Sequence, residues 1–313
     1  MKISIRVSNT EQLKDAIKLK PNYIGIGSEY CVYKVPEYEV LSMMLDQIDK
    51  NGIKPEILTP FVPETHVPRI MDLIISLNER GTPFDLTIND LGLLKLISEK
   101  VENRCFDMYI GHVYSTSFEN CPWHEKVLSE ESEEIKEGWC QNNFVNDLLL
   151  EHMCSMGISG VELEMLPVML NKSTKYFRNK NIKIKGMLDY IPSAITRACH
   201  IARYYDKKPS FECTSYCDKV LNARFTHRYI PDNTEEPYEV VNEELIRPVT
   251  PDYLIIGNAI YCKREVDINE KNINNVDSIT FDMRAFSIEE LEKRINRLKE
   301  IDRKCEGKEV VSI

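Results

Sequence analysis

The segment "RACHIARYYDKKPSFECTSYC" (197–217) carries three of the chain's ten cysteines, Cys199, Cys213 and Cys217, spaced C-x13-C-x3-C. Thiols gathered at such spacing can form a disulfide, close on zinc, or ligate an iron–sulfur cluster. Zinc usually takes two close CxxC-type pairs, and this run with a distant fourth partner is looser than that. A [4Fe–4S] cluster needs four thiolates, tolerates irregular spacing, and is often held by three clustered ligands and one remote one. The metal-free reading, with packed or neutral thiols, stays open beside both.

The elements around these residues set where they can meet. "KISIRV" (Lys2–Val7) alternates as a strand and runs into a helix start, with Asn9 or Thr10 as its cap. Seven more strand-like runs begin near residues 23, 54, 84, 106, 160, 182 and 278, most of them separated by helical patterns. The last is followed by Ser287 and Glu290, a capping box, and by an apolar stripe of Ile288, Leu291, Ile295 and Leu298. Eight βα repeats with no GxGxxG predict an α/β fold, a (β/α)8 TIM-type barrel, over an open doubly wound sheet. One segment breaks the rhythm. Residues 190–277 are expected to form a partly β cap inserted between strands 7 and 8, leaving 1–189 with 278–313 as the barrel. The loop 114–140, with the acidic run "SEESEEIKE", reads as solvated surface.

Chemistry in a parallel barrel sits at the carboxyl ends of its strands. Cys199, Cys213 and Cys217 follow the seventh strand and share that face. Cys31, just past the second strand, and Cys121 and Cys262, read as loop residues, are the candidate fourth ligands. Cys105 precedes its strand, and Cys140, Cys154 and Cys305 fall in or near helices, so these four read as packing or surface residues. The polar residues expected at the mouth are His112 after the fifth strand, Asn89 and Asp90 after the fourth, and Glu164 in the sixth. His112, Asp90 and Asn89 are the candidate catalytic set, although helix capping is the plainer role of Asn89 and Asp90. Glu164 is expected either to face the barrel or to pair with Lys183 or Lys185. Trp123 and His124 lie in a loop able to fold over the mouth.

"TRACHIARYYDKKPSFECTSYC" resembles the cluster-binding segment of peptidase family U32, the collagenase-like peptidases, and is nearest the UbiV-like branch of oxygen-independent ubiquinone synthesis. Thr196, Cys199, Ala202 and Arg203 fit that branch's S/T-x-RC-x-x-AR pattern, with Arg197 two places before the cysteine. Cys213 and Cys217 supply its C-x3-C pair, Cys31 in "YIGIGSEYC" its remote ligand, and "NDLG" (89–92) the family's turn after the fourth strand. The resemblance implies a [4Fe–4S] cluster on Cys31, Cys199, Cys213 and Cys217, as cofactor and metal site alike. It implies a component of an oxygen-independent hydroxylation system acting on a quinone-precursor ring or similar small aromatic substrate. It also implies a possible paralogous U32-type barrel subunit as heterodimer partner. The alternatives are a non-catalytic [4Fe–4S] partner subunit and a U32-type peptidase. The sequence has no HExxH, no GxSxG and no obvious Cys/His nucleophile pair to support the peptidase.

The 313 residues are 42 % hydrophobic, enough for a large core, and the net charge of −10 counts against nucleic acid as a partner. No stretch reaches the roughly 20 apolar residues of a membrane span. The opening "MKISIRVSNTEQ" turns polar too soon for a secretory signal, so a cytoplasmic location is expected.

Overall fold

Apolar residues at every second position give the strands one face to bury, and amphipathic helices supply the surface that covers it. The computed structural model describes residues 1–121, 124–196, 198–206, 213, 216, 219–223, 253–264 and 273–309. Eight parallel strands close into a barrel: β1 (Lys2–Val7), β2 (Tyr23–Gly27), β3 (Lys54–Thr59), β4 (Phe84–Ile88), β5 (Phe106–Ile110), β6 (Ile158–Glu164), β7 (Lys183–Met187) and, last in the chain, β12 (Ser278–Asp282). Closure is made where β1 pairs β12, Ile5 opposite Phe281. The (β/α)8 architecture expected from the repeats is the one observed.

The helices that matter for the site are α1 (Thr10–Lys18), α4 (Leu91–Lys100), α9 (His200–Asp206) and the final helix α10 (Ile288–Glu309). Asn9 caps α1, its side chain accepting from Gln12 N at 2.9 Å. Ser287 and Glu290 exchange the two hydrogen bonds of the capping box at the start of α10. The apolar positions of the strands pack outward against helices: Ile5, Ile24, Leu86, Val161, Ile184 and Ile279 are wholly buried there. Each such side chain contributes roughly 1.5–3 kcal/mol. Among the described residues no helix is long and apolar enough to cross a membrane.

Between β7 and β12 the chain leaves the barrel and builds a second, antiparallel sheet. Its strands β8 (Tyr190–Ile195), β9 (Leu221–Ala223), β10 (Tyr253–Ile256) and β11 (Ala259–Lys263) stand in the order β8-β11-β10-β9. Asp189 takes φ +67 at the exit from β7 and accepts from Arg264 N at 2.8 Å, and its carboxylate pairs with Arg294 of α10. The sheet is thus tied to the barrel at both ends. Leu254, Ile256, Ala259 and Tyr261 pack on Tyr30, just past β2, and form a small core over the barrel's carboxyl end.

Two expectations change. Cys262 is not a loop residue; it lies inside β11, fully buried. The 114–140 segment, expected as a loop, holds among its described residues a 3-10 turn (Phe118–Asn120) and two short helices, α5 (His124–Val127) and α6 (Glu133–Cys140); its acidic run is largely exposed, as expected.

Gly27 ends β2 with φ +115, and a Cβ there would stand 2.3 Å from Leu58 O. Gly27→Ala should therefore cost about 3 kcal/mol or more by urea unfolding. Gly52, at φ +67 with nothing within 4 Å of a Cβ, should lose only about 1 kcal/mol as Gly52→Ala.

Candidate active site

An eight-stranded barrel has an interior just wide enough for its own side chains. Here those side chains are charged. Arg6 of β1 bonds Glu29 with one terminal nitrogen and Glu162 of β6 with the other, all three buried. Lys185 of β7 pairs with Glu56 of β3 at 2.5 Å and Asp85 of β4 at 3.0 Å, its ammonium 3.8 Å from the Tyr109 ring centroid. Ser4 and Thr87 hydroxyls donate to Glu56 at 2.9 and 3.1 Å. A buried charge is tolerated only when paired and hydrogen-bonded. The network meets that condition by joining β1, β3, β4, β6 and β7 across the lumen.

Its upper layer reaches the mouth. The Ser28 hydroxyl accepts the backbone N–H groups of Tyr30 and Cys31, at 3.2 and 3.1 Å, and so fixes the turn after β2. That turn sends Glu29 into the lumen, where its second oxygen meets Arg284 at 3.2 Å. Arg284 is held as well by Asp282, on both carboxylate oxygens. Beside them His112 is fixed at three points. Nδ1 lies 2.7 Å from Glu164 Oε1, Nε2 lies 2.7 Å from the Tyr30 hydroxyl, and its backbone N–H donates to Glu162 Oε2 at 3.3 Å. Among the described residues neither Glu164 Oε2 nor Thr280 Oγ1, both buried, has a hydrogen-bond partner.

Electrostatics follow from this packing. Burial alone would push Glu29 up, but the Arg6 and Arg284 guanidiniums hold its carboxyl at about 2; Lys185 and Arg6 likewise hold Glu56 at about 2. Burial raises Glu164 and outweighs the opposing pull of His112. Burial alone would lower His112, and the contact with Glu164 reverses that and raises it. Both groups are thus pushed toward holding a proton, on atoms 2.7 Å apart, and a general acid or base is most effective when such a shift brings its pKa near the operating pH.

Two cavities flank this group. One of about 390 Å³ lies over Ser28, Tyr30 and Cys31, bounded by Asn258 of the β10–β11 turn and by Arg284. The other, of about 20 Å³, is walled by Glu29, His112, Tyr261 and Thr280 and has the size of one water. Tyr30 stands between them.

The expected residues fall into distinct places. His112 joins the group just described, and Glu164 pairs with it rather than with a lysine; Lys183 instead bonds Asp107 at 2.8 Å. Both Asp90 oxygens are taken by backbone N–H groups, Leu93 at 2.8 Å as the cap of α4 and Val62 at 3.0 Å. Asn89 donates to Thr59 O at 3.0 Å and accepts from Val113 N at 3.4 Å, pinning neighbouring loops. His124 is held by Cys121 O at 3.1 Å and Arg264 at 3.3 Å; Trp123 lies outside the described residues. Sequence reasoning missed Arg6, Glu29, Tyr30, Glu162 and Arg284. The available signal was charge at alternate positions in "KISIRV" and "GVELEML", which a closed barrel turns inward.

Of the four nominated thiols, Cys31 and Cys199 are half-buried and Cys213 is exposed; Cys217 lies outside the described residues. Burial pushes the Cys31 thiol up, the backbone amides of Tyr33 and Lys34 oppose that, and the Cys213 and Cys199 thiols add to it. Cys199 precedes α9 and its sulfur accepts from Ala202 N at 3.4 Å. Among the described residues no group of three His, Cys, Asp or Glu side chains could hold a metal ion.

The fold and site define an α/β barrel with a charged lumen and an imidazole–carboxylate pair at its mouth. No protein-family model matches the chain, and no curated protein does. Among solved structures it is similar to "The Structure of the U32 Peptidase Mk0906", at 11 % identity and a TM-score of 0.44, over 90 % of this chain and 92 % of that one.

Arg6→Met removes the buried charge partner of Glu162 and one of the two guanidiniums on Glu29, and should cost about 3–5 kcal/mol in urea unfolding. Breaking the exposed Lys18–Asp15 pair by Lys18→Met should cost about 0.5 kcal/mol or less. The depressed carboxyls of Glu29 and Glu56 stabilise the fold above their ordinary value of 4.5, and that stability is lost as pH falls from there toward about 2. Urea stability measured against pH should therefore drop steeply below ~4.5, and Glu56→Gln should flatten the drop.

Proposed function

We propose that the chain is an iron–sulfur component of an oxygen-independent hydroxylation system, acting on a small aromatic ring at the barrel mouth. The observation that carries this reading is one of position. Cys31 lines the 390 Å³ cavity beside Tyr30, and Tyr30 bonds the His112–Glu164 pair.

The donor set suits a [4Fe–4S] cluster in type: sulfur from the turn after β2 and from the segment around α9, with Cys217 as the fourth. Such a group, when bound, supplies one-electron transfer, and four thiolates leave it no open iron for substrate. Proton movement therefore falls to the protein. The His112 imidazole can give a proton to, or take one from, an oxygen reached through the Tyr30 hydroxyl, while Glu164 holds its tautomer and steadies the imidazolium. The cavity's size is within the range of small-molecule sites. Among the described residues His112 faces a carboxylate and a phenol, not a thiol or serine hydroxyl, which does not favour the peptidase alternative.

Anaerobically purified protein should be brown and hold about four irons and four sulfides per chain. Alanine at Cys31, Cys199, Cys213 or Cys217 should abolish that loading, while Cys105→Ala and Cys305→Ala should retain it. Protein containing zinc or no metal, after cluster reconstitution as well, overturns the reading.

A further inference from the structure

The 390 Å³ cavity has a charge pattern that restricts what can enter it. Arg284 and Lys34 are the cations on its wall, with Glu11 and Asp15 of α1 opposite. Neither cation is free for a ligand. Lys34 has an interaction of its own, and Arg284 is gripped by Asp282 and by Glu29. Glu29 is the unusual member. Its two oxygens take one guanidinium each, Arg6 on one side and Arg284 on the other. Two guanidiniums converging on one carboxylate are what a protein builds to bind an acid. Here the chain's own side chain fills that place.

We infer that Glu29 is a specificity-determining residue of the mouth: from behind the wall it engages Arg284, the guanidinium that faces the larger cavity, and with Asp282 closes that cavity to carboxylate ligands, leaving it a site for uncharged, hydroxyl-bearing rings. Several features agree. Deeper carboxylates, Glu162 and Glu164, lie behind Arg6 and His112 with no spare cation to offset a further negative charge. Like-charge juxtaposition at a site of low dielectric costs several kcal/mol. The rest of the wall suits a neutral ring. Tyr30, Ile256 and Met283 supply apolar surface; the Gln12 amide is engaged by Ser8 N and Met283 O, and the Ser28 hydroxyl, which accepts from the Tyr30 and Cys31 amides, offers its O–H to a ligand oxygen. The inference rests on the ring reading of the proposed function, but not on the metal.

The test compares benzyl alcohol with benzoate, which share a ring and differ in charge. Full-length protein, purified anaerobically and labelled with 13C-methyl methionine, is titrated with each. The Met283 methyl signal, assigned with Met283→Leu, reports occupancy of the cavity, and iron is counted in the same sample. Benzyl alcohol should shift that signal and bind at least about tenfold tighter than benzoate, a gap of ~1.4 kcal/mol. Glu29→Gln, checked for native circular dichroism, should close or invert the gap. If that variant does not fold, Asp282→Asn, which also frees Arg284, takes its place and should narrow the gap. Benzoate binding as tightly as the alcohol in the parent protein overturns the inference. So does an unchanged ratio in the folded variant, or a Met283 signal that neither probe moves. An iron-loaded sample giving any of these sinks this inference alone. Iron-free protein that still prefers the alcohol leaves it standing without the cluster.

Discussion

A guanidinium in the centre of a closed barrel has to be neutralised by the barrel itself. Arg6 is 2 % exposed and meets Glu29 and Glu162. Taking such a charge out of water costs several kcal/mol, which only close carboxylates offset. One residue of β1 thereby fixes the side chain of β6 and the turn after β2 relative to each other. Lys185 does the same one layer down for β3 and β4. The polar lumen does not add much stability beyond what an apolar filling would give. It adds geometry: side chains that can satisfy their charges in one arrangement only.

That geometry determines the mouth. Glu29 can reach Arg6 only because the turn at Ser28 aims it inward, and the same turn faces Tyr30 toward His112 and brings Cys31 to the edge of the larger cavity. The cap adds the opposite wall: Asn258 donates to Tyr30 O at 2.8 Å, and Tyr261 packs edge-on to the Tyr30 ring with centroids 5.4 Å apart. Tyr30 is thus held by backbone, ring and hydroxyl contacts from three parts of the chain. A shift in the β10–β11 turn would be felt at His112 through this one residue.

Much of the barrel was legible because strand and helix periods are local. "KISIRV", "FDLTI" and "SITFD" each announce a strand, and the caps at Asn9, Asp90 and Ser287 announce the helices between. The lumen was not legible, because alternation says that a face is polar without saying whether it meets water or the opposite wall. Lys185 and Glu162 look like surface residues until closure places Glu56 and Arg6 before them. For Glu164 the sequence left open whether it faces the barrel or pairs with a lysine; it faces the barrel, and its partner there, His112, lies 52 residues away on the adjacent strand's loop. Cys31 was reachable from sequence as a strand-end thiol; Glu29 and Tyr30 beside it were not, since nothing local distinguishes a turn residue that faces inward.

The upward pull on the His112 pKa is also a product of closure. The upper layer holds Glu29, Glu162, Glu164 and Asp282 against two guanidiniums, Arg6 and Arg284. Carboxylates in excess within a dry enclosure cannot all remain ionised without another positive charge. The imidazole is the one group there able to supply it reversibly, and it sits where the excess is greatest, with Glu164 at one nitrogen and Glu29 3.9 Å from the other. A lysine in that place would hold its proton too firmly to exchange, and a neutral amide would leave Glu164 protonated but isolated. Histidine can gain or lose a proton, and it does so within 2.7 Å of the hydroxyl of Tyr30, a residue that lines the larger cavity. The structural need to balance charge in the lumen thereby places a titratable side chain at the mouth.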